Sequence, residues 1–202
     1  LAMALIAGSP AYDITDAALL RLAASQRAAS TLQRNVTRAR HGRLRPGSYE
    51  FDGREAVLFR TTSVVAAFTD ALLMRFQSEN LEPADVLIDK LIAEGELNSS
   101  RNWDSRKAAY RRFCGVLMKD VRNFSEIEGA IDARNMIAHG LGELTARQRR
   151  DSQIHARLRR INLDAPGGRL RVSDAALQKV VQSSLNYVRS LDSVIAHAKA
   201  QR

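Results

Sequence analysis

The sequence contains a single cysteine, Cys114, so neither a disulfide framework nor a cysteine-based metal site can form within one chain. Its four histidines, at positions 41, 139, 155 and 197, include no close pair with metal-ligand spacing, and no glycine-rich phosphate loop precedes a predicted helix. We therefore expect no metal and no other cofactor. The near absence of cysteine fits a protein of the reducing cytoplasm.

Aromatic residues are also scarce, at 5% of the chain, whereas 45% of the residues are hydrophobic. This balance is typical of Ala- and Leu-rich helices rather than of a β-sandwich. The opening stretch LAMALIAG is apolar but lacks a basic leader, and it is far shorter than the roughly 20 residues that cross a membrane. We expect no export signal, no membrane partner and a single domain over residues 1–202.

Basic residues, in contrast, are abundant. The formal net charge is +9 and 26 of the 31 basic residues are arginine, whose planar fork suits phosphate. This excess favours a polyanionic partner such as RNA, DNA or a membrane surface. Arginine-rich helix faces exposed to solvent explain the same composition equally well.

Apolar residues recur at helical spacing along most of the chain, and they predict a mainly α, antiparallel helical bundle. Around Asp164-Ala-Pro-Gly-Gly two alternating segments predict a small β-hairpin near the C-terminus, and residues 43–56 read as a loop with a brief strand. Ser173 is the expected N-cap of the last helix, and Ser125 with Glu128 has capping-box spacing. The predicted elements are helices at about 13–40, 54–76, 83 onwards, 104–119, 125–139 and 174–199, and a hairpin at about 154–172.

The helix predicted at 125–139 carries a polar stripe. With 100° of rotation per residue, Glu128, Asp132, Asn135 and His139 fall on one face, a stripe that can line a cleft. Arg134 falls in the apolar arc, about 140° round the helix from His139. Either its long side chain reaches round to the cleft, or the apolar arc itself meets another helix or subunit.

These residue types suit the cutting of RNA without a metal. A histidine can take the proton of a ribose 2′-hydroxyl or protonate the leaving 5′-oxygen, and an arginine can stabilise the charge that grows on the phosphate. A structural explanation is also open: Arg134 can be an arginine paired with Asp132 or Glu128, and His139 before Gly140 can be a helix cap.

The segment Arg134-Asn135-Met136-Ile137-Ala138-His139-Gly140 resembles the signature of HEPN domains: an arginine, a polar residue, three further residues and a histidine. The following LGELT and the late hairpin are similar to the RiboL-PSP-type subgroup. The resemblance implies a helical bundle, commonly a homodimer with two motifs facing each other, and a metal-independent ribonuclease acting as a toxin or antiphage effector. It also implies that Arg134 and His139 are catalytic, that Asn135 assists, and that Asp132 and Glu128 support them.

Two other pairs fit the loose spacing of this motif, Arg34 with His41 and Arg150 with His155. The segment at 134 is distinguished by its context, because asparagine follows the arginine and His-Gly closes an amphipathic helix. The sequence departs from some HEPN proteins at Leu141, where they carry a tyrosine, so tyrosine-dependent chemistry is not implied.

The region after the motif is the most basic of the chain and is a candidate track for RNA phosphates. Its predicted RNA-binding residues are Arg147, Arg149, Arg150, Arg157, Arg159 and Arg160. The leading hypothesis is a homodimeric endoribonuclease of the cytoplasm, with an antitoxin protein as a further candidate partner. The alternatives are a non-catalytic module that binds RNA, a nucleotide or a toxin, and a purely structural dimerisation bundle.

Overall fold

The protein's structure, a computed structural model, describes residues 8–39, 51–80 and 102–200. Over these residues the chain forms six α-helices and no β-strand, which confirms the expectation of an all-α protein. The predicted helix from Pro83 lies outside the described residues, as does most of the loop at 43–56, of which residues 51–56 begin a helix. The helices are α1 (Pro10–Ala39), α2 (Phe51–Asn80), α3 (Trp103–Ala109), α4 (Phe124–Gly140), α5 (Ile154–Arg160) and α6 (Asp174–Ala200).

The long helices α1, α2 and α6 were predicted from their apolar periodicity to within a few residues of their bounds. The side chain of Ser173 accepts a hydrogen bond from the backbone N–H of Ala176 at 3.1 Å, so this serine caps α6 as expected. Ser9 does the same for α1, where its hydroxyl accepts from Tyr12 N at 3.2 Å and Pro10 occupies the first helical position.

The helix predicted at 104–119 is shorter than expected. After α3 the chain makes one π-helical turn, Tyr110–Cys114, and Gly115 ends it in the left-handed conformation with φ of 70°. The N–H groups of Gly115 and Val116 both donate to the carbonyl of Tyr110, that of Val116 at 3.2 Å, and these bonds close the helix end. The capping box at Ser125 does not form either, because α4 begins at Phe124 and the Ser125 hydroxyl contacts Glu126.

The β-hairpin predicted at about 154–172 is not formed. Residues 154–160 are α5, and the remainder contains one 3-10 turn and two isolated antiparallel bridges, Glu143 with Arg169 and Asp164 with Arg171. The reason lies in burial: Ile154, Leu158 and Ile161, spaced four and three apart, are all buried, so helical periodicity decides this segment.

The described residues form two compact units. One comprises residues 8–16, 65–80, 102–124 and 186–200. Its core is aromatic, with Phe68, Phe76, Tyr110, Phe124 and Tyr187 all buried. The Tyr110 hydroxyl donates to the carbonyl of Thr69 at 2.7 Å, and burial raises the pKa of that hydroxyl, so it stays protonated and bound.

The second unit comprises residues 17–39, 51–64 and 125–185, and it contains α4 from Ser125 onwards and the whole of α5. Apolar side chains of α2, α4, α5 and α6 form one buried cluster in it, together with Leu144, Leu163, Ala165 and Leu170 from the connecting segments. The helix residues of the cluster are Leu58, Ala130, Ala133, Met136, Ile154, Leu158, Ala176, Leu177 and Val180, and Ile161 of the cluster directly follows α5. All of the predicted site residues lie in this unit.

By length and composition alone, residues Gly53–Glu79 of α2 could cross a membrane, with a mean hydropathy of 1.4. In the structure 44% of this apolar window is buried, and the core helix of a soluble protein meets the same criterion.

Candidate active site

Helix α4 carries the predicted catalytic residues. It is continuous from Phe124 to Gly140, so Glu128, Asp132, Asn135 and His139 share one face, as the sequence predicts. The first three are half-buried and His139 is exposed. Two backbone hydrogen bonds hold the turn that ends the helix. Gly142 N donates to the carbonyl of Met136 at 3.0 Å, and Leu170 N donates to the carbonyl of Gly142 at 2.7 Å. The position of His139 is therefore set by a well-anchored helix end.

Arg134 contacts helix α2. Its guanidinium carbon lies 5.0 Å from the centroid of the Phe59 ring, a cation–π contact. Its Nη1 donates to Oδ1 of Asn135 at 3.1 Å. Asp132, one of the two carboxylates considered as partners of Arg134, is bound to Arg157 of α5. The guanidinium is half-buried and kept in one place by a ring and an amide.

The structure does not bring Arg134 and His139 together. They lie five positions apart on a regular helix, and within the described part of the chain no hydrogen bond or ion pair joins their side chains. The imidazole projects to solvent from the last turn, whereas the guanidinium lies over Phe59.

Asp132 belongs to a three-residue ion-pair network. Nε of Arg157 on α5 donates to Oδ2 of Asp132 at 2.5 Å, and Nη2 of the same guanidinium donates to Oδ2 of Asp151 at 2.5 Å. The Asp132 and Arg157 side chains are 16% and 21% exposed, and Asp151 is 39% exposed. One guanidinium thus connects α4, α5 and the segment between them.

The two carboxylates of this network have pKa values shifted in opposite directions. Burial raises the pKa of Asp132, against the opposing effect of the hydrogen bond from Arg157. The hydrogen bond from Arg157 lowers the pKa of the more exposed Asp151. Burial alone would lower the pKa of Arg157, but its hydrogen bonds to Asp151 and Asp132 outweigh this and raise it. The guanidinium is therefore always charged, and its charge is compensated by the carboxylates.

Gly129 allows α4 and α5 to approach closely enough for this network. A Cβ atom added at Gly129 would lie 2.4 Å from the carbonyl oxygen of Arg157, closer than any such contact in a relaxed structure. Three residues later on α4, Asp132 meets the side chain of the same arginine. The glycine is required by the packing of two backbones rather than by a turn.

Gln148 anchors the segment between α4 and α5. It is 6% exposed, and its Nε2 donates to the backbone carbonyl of Asp132 at 2.9 Å. Its Oε1 accepts from the N–H and the hydroxyl of Thr145, at 3.1 and 3.0 Å. Gln148 begins a 3-10 turn that also contains Arg149 and Arg150, so this buried amide holds a basic turn against α4.

Five of the six predicted RNA-binding arginines are exposed: Arg147, Arg149, Arg150, Arg159 and Arg160. The sixth, Arg157, is half-buried and is occupied by two carboxylates, a placement that the sequence did not suggest. Arg149 is fixed as well, because its Nε donates to the carbonyl of Leu144 at 2.9 Å.

The sequence-based reasoning overlooked Phe59, Gln148, Asp151 and Gly129. Contacts between distant segments give these residues their roles, so the sequence contains a signal for only one of them. That signal is Gly129, a glycine inside an apolar helix that no turn explains. Chemically, the arrangement offers an exposed imidazole, a half-buried guanidinium and a rigid arginine-rich turn. No group of three or more metal-ligating side chains occurs in the described part of the chain.

Comparisons of the chain with models of protein families, with curated proteins and with solved structures give no match. The function must therefore be argued from the site itself.

Proposed function

We propose that this protein is a metal-independent endoribonuclease of the HEPN type, acting as a homodimer. The proposal places Arg134, Asn135 and His139 of both subunits in one cleft, with Glu128 and Asp132 in supporting positions. A role as a cytoplasmic toxin or antiphage effector, with an antitoxin protein as partner, belongs to the same proposal.

In the proposed reaction the ribose 2′-oxygen attacks the adjacent phosphorus and the bond to the 5′-oxygen breaks. The products are a 2′,3′-cyclic phosphate and a 5′-hydroxyl. His139 of one subunit takes the 2′-proton, His139 of the partner subunit protonates the leaving 5′-oxygen, and the Arg134 guanidinium stabilises the charge on the phosphorane with parallel N–H donors. Atoms and charge balance without water or metal in this step.

The observation that carries the proposal is the exposure of His139 at a fixed helix end. A buried imidazole with satisfied partners would be structural, whereas this ring reaches solvent in the unit that also carries the five exposed arginines of the predicted RNA-binding set. The separation of His139 from Arg134 within one chain supports the dimer part of the proposal, since a second subunit can supply the missing group.

The test is an RNA cleavage assay in excess EDTA with analysis of the product ends. Wild type should cut and leave cyclic phosphate. His139→Ala should cut about 10²–10⁴-fold more slowly, the usual contribution of an acid or base, and Arg134→Ala about 10²–10³-fold more slowly, the usual loss of one charge-stabilising donor.

His155→Ala is the matched control, because His155 is an exposed histidine of α5 that belongs to a competing Arg/His pair. It should cut at the wild-type rate. Full activity of His139→Ala, or loss of activity in His155→Ala, would refute the assignment.

A second candidate function is a non-catalytic module that binds RNA, a nucleotide or a toxin. The position of Arg134 over Phe59 favours it, because a guanidinium held by an aromatic ring and Asn135 has a structural role. This candidate predicts salt-dependent RNA binding without any EDTA-resistant cleavage.

A further inference from the structure

The segment between α4 and α5 combines an inner and an outer face. Gln148 points inward and bonds the backbone of Asp132, whereas Arg147, Arg149 and Arg150 on either side of it are exposed. The connection between α4 and α5 is residues 141–153, and a segment that only joined two helices would not need a buried amide with three side-chain hydrogen bonds. The exposed arginines are thus carried on a fixed support.

The segment of residues 145–151 is also attached to the rest of the unit at its C-terminal end. Asp151 follows the 3-10 turn directly, and its carboxylate accepts both from Arg157 at 2.5 Å and from the N–H of Gln153 at 2.9 Å. Arg157 in turn binds Asp132 on α4. The segment from Thr145 to Asp151 is therefore attached to α4 twice, through Gln148 and through Arg157.

We propose that residues 145–151 form a preformed phosphate-binding surface for RNA, in which Arg147, Arg149 and Arg150 contact phosphates and Gln148, Asp151 and Arg157 are positioning residues. This inference rests on the proposed function for the identity of its ligand. It reassigns Arg157, because two carboxylates already neutralise this guanidinium, which leaves the three-residue network without a positive charge to offer a phosphate. Preorganisation matters here because a mobile arginine loses more side-chain and backbone entropy on binding than a fixed one.

The proposal predicts opposite effects for two substitutions that each remove one negative charge. If net charge alone determined RNA affinity, both Asp151→Ala and Glu143→Ala would bind RNA more tightly, because each raises the net charge by one. The positioning role predicts that Asp151→Ala binds several-fold more weakly, because the turn loses its second attachment. Glu143→Ala, which removes an exposed carboxylate 3.9 Å from Arg149, should bind as well as wild type or better.

Binding is measured by fluorescence anisotropy with a labelled single-stranded RNA over a range of KCl concentrations, in the His139→Ala background so that the RNA stays intact. Arg150→Gln should reduce the slope of log K against log salt by about 0.7, the value for one phosphate contact on a single strand. Arg150 suits this test because it is exposed and has no side-chain hydrogen bond within the described part of the chain.

Amide hydrogen exchange separates positioning from a purely structural role. Asp151→Ala should exchange faster at residues 145–151 while the thermal unfolding of the whole protein changes little, since Asp151 is partly exposed. Faster exchange with unchanged RNA affinity would overturn the positioning role, and so would tighter binding. An unchanged salt slope in Arg150→Gln would overturn the phosphate surface.

The two proposals fail separately. RNA binding that depends on Arg150 and Asp151 in a protein that never cuts RNA would refute the nuclease and leave the surface standing. Cleavage with no effect of these substitutions on binding would refute the surface alone. A wild type that shows no salt-dependent RNA binding would refute both.

Discussion

At the scale of single residues, Leu141 stands out beside the candidate catalytic histidine. It is a leucine with a positive φ of 50°, and its side chain is 87% exposed. A side chain in the left-handed region costs about 1–2 kcal/mol, and glycine avoids that cost. The exposed side chain of Leu141 makes too few contacts to repay it.

Leu141→Gly should therefore leave the stability unchanged or raise it by up to about 1 kcal/mol, the relief of strain being partly offset by the greater entropy of glycine in the unfolded chain. The measurement is equilibrium unfolding in urea. Leu141→Ala is the control, since it removes the same side chain but keeps the strain, and it should match wild type. A loss of stability in both variants would mean that the leucine side chain makes a stabilising contact.

At the scale of helices, the approach of α4 to α5 fixes the candidate site, and Gly129 permits it. Gly129→Ala should destabilise the protein by about 1–3 kcal/mol, because the added methyl group must push the helices apart in a packed core. Without the contact to the Arg157 carbonyl the same substitution in a helix would stabilise it. Urea unfolding measures the change.

Gly53→Ala provides the comparison for that prediction. Gly53 is an exposed glycine of α2 with no atom within 4 Å of the added Cβ, so alanine should stabilise the protein by about 0.5–1 kcal/mol. Similar stabilisation in both variants would show that α4 and α5 are not in close contact at Gly129.

Helices were predictable from the sequence wherever the apolar pattern extends over many turns, as in α1, α2 and α6. The prediction failed at α5, because seven residues hold only two buried positions and their flanking residues also alternate. Ile154, Leu158 and Ile161 do have helical spacing, so the signal existed but was too short to outweigh the turn at Pro166-Gly167. The stripe on α4 was predictable for the same reason as the long helices: it depends only on local geometry.

The contacts of the candidate site were not predictable from the sequence. Arg134 lies over Phe59, 75 positions earlier in the chain, and Arg157 binds Asp132, 25 positions earlier. Any of the 26 arginines could have paired with a given carboxylate, and only the packing of α4 on α2 and α5 selects these partners. The types and spacing of the residues predicted a chemistry, whereas the tertiary structure decides which arginines are exposed and which are bound by carboxylates.

At the scale of the whole molecule, the proposed nuclease depends on association. If each cleft needs groups from two subunits, cleavage per subunit should be constant at high protein concentration and should fall on dilution, in proportion to the fraction of dimer. The mass distribution from light scattering or mass photometry gives that fraction under the same buffer conditions. RNA binding at residues 145–151 belongs to one subunit, so each subunit should retain it after dissociation. Undiminished cleavage per subunit by a monomer would show that Arg134 and His139 act within one chain.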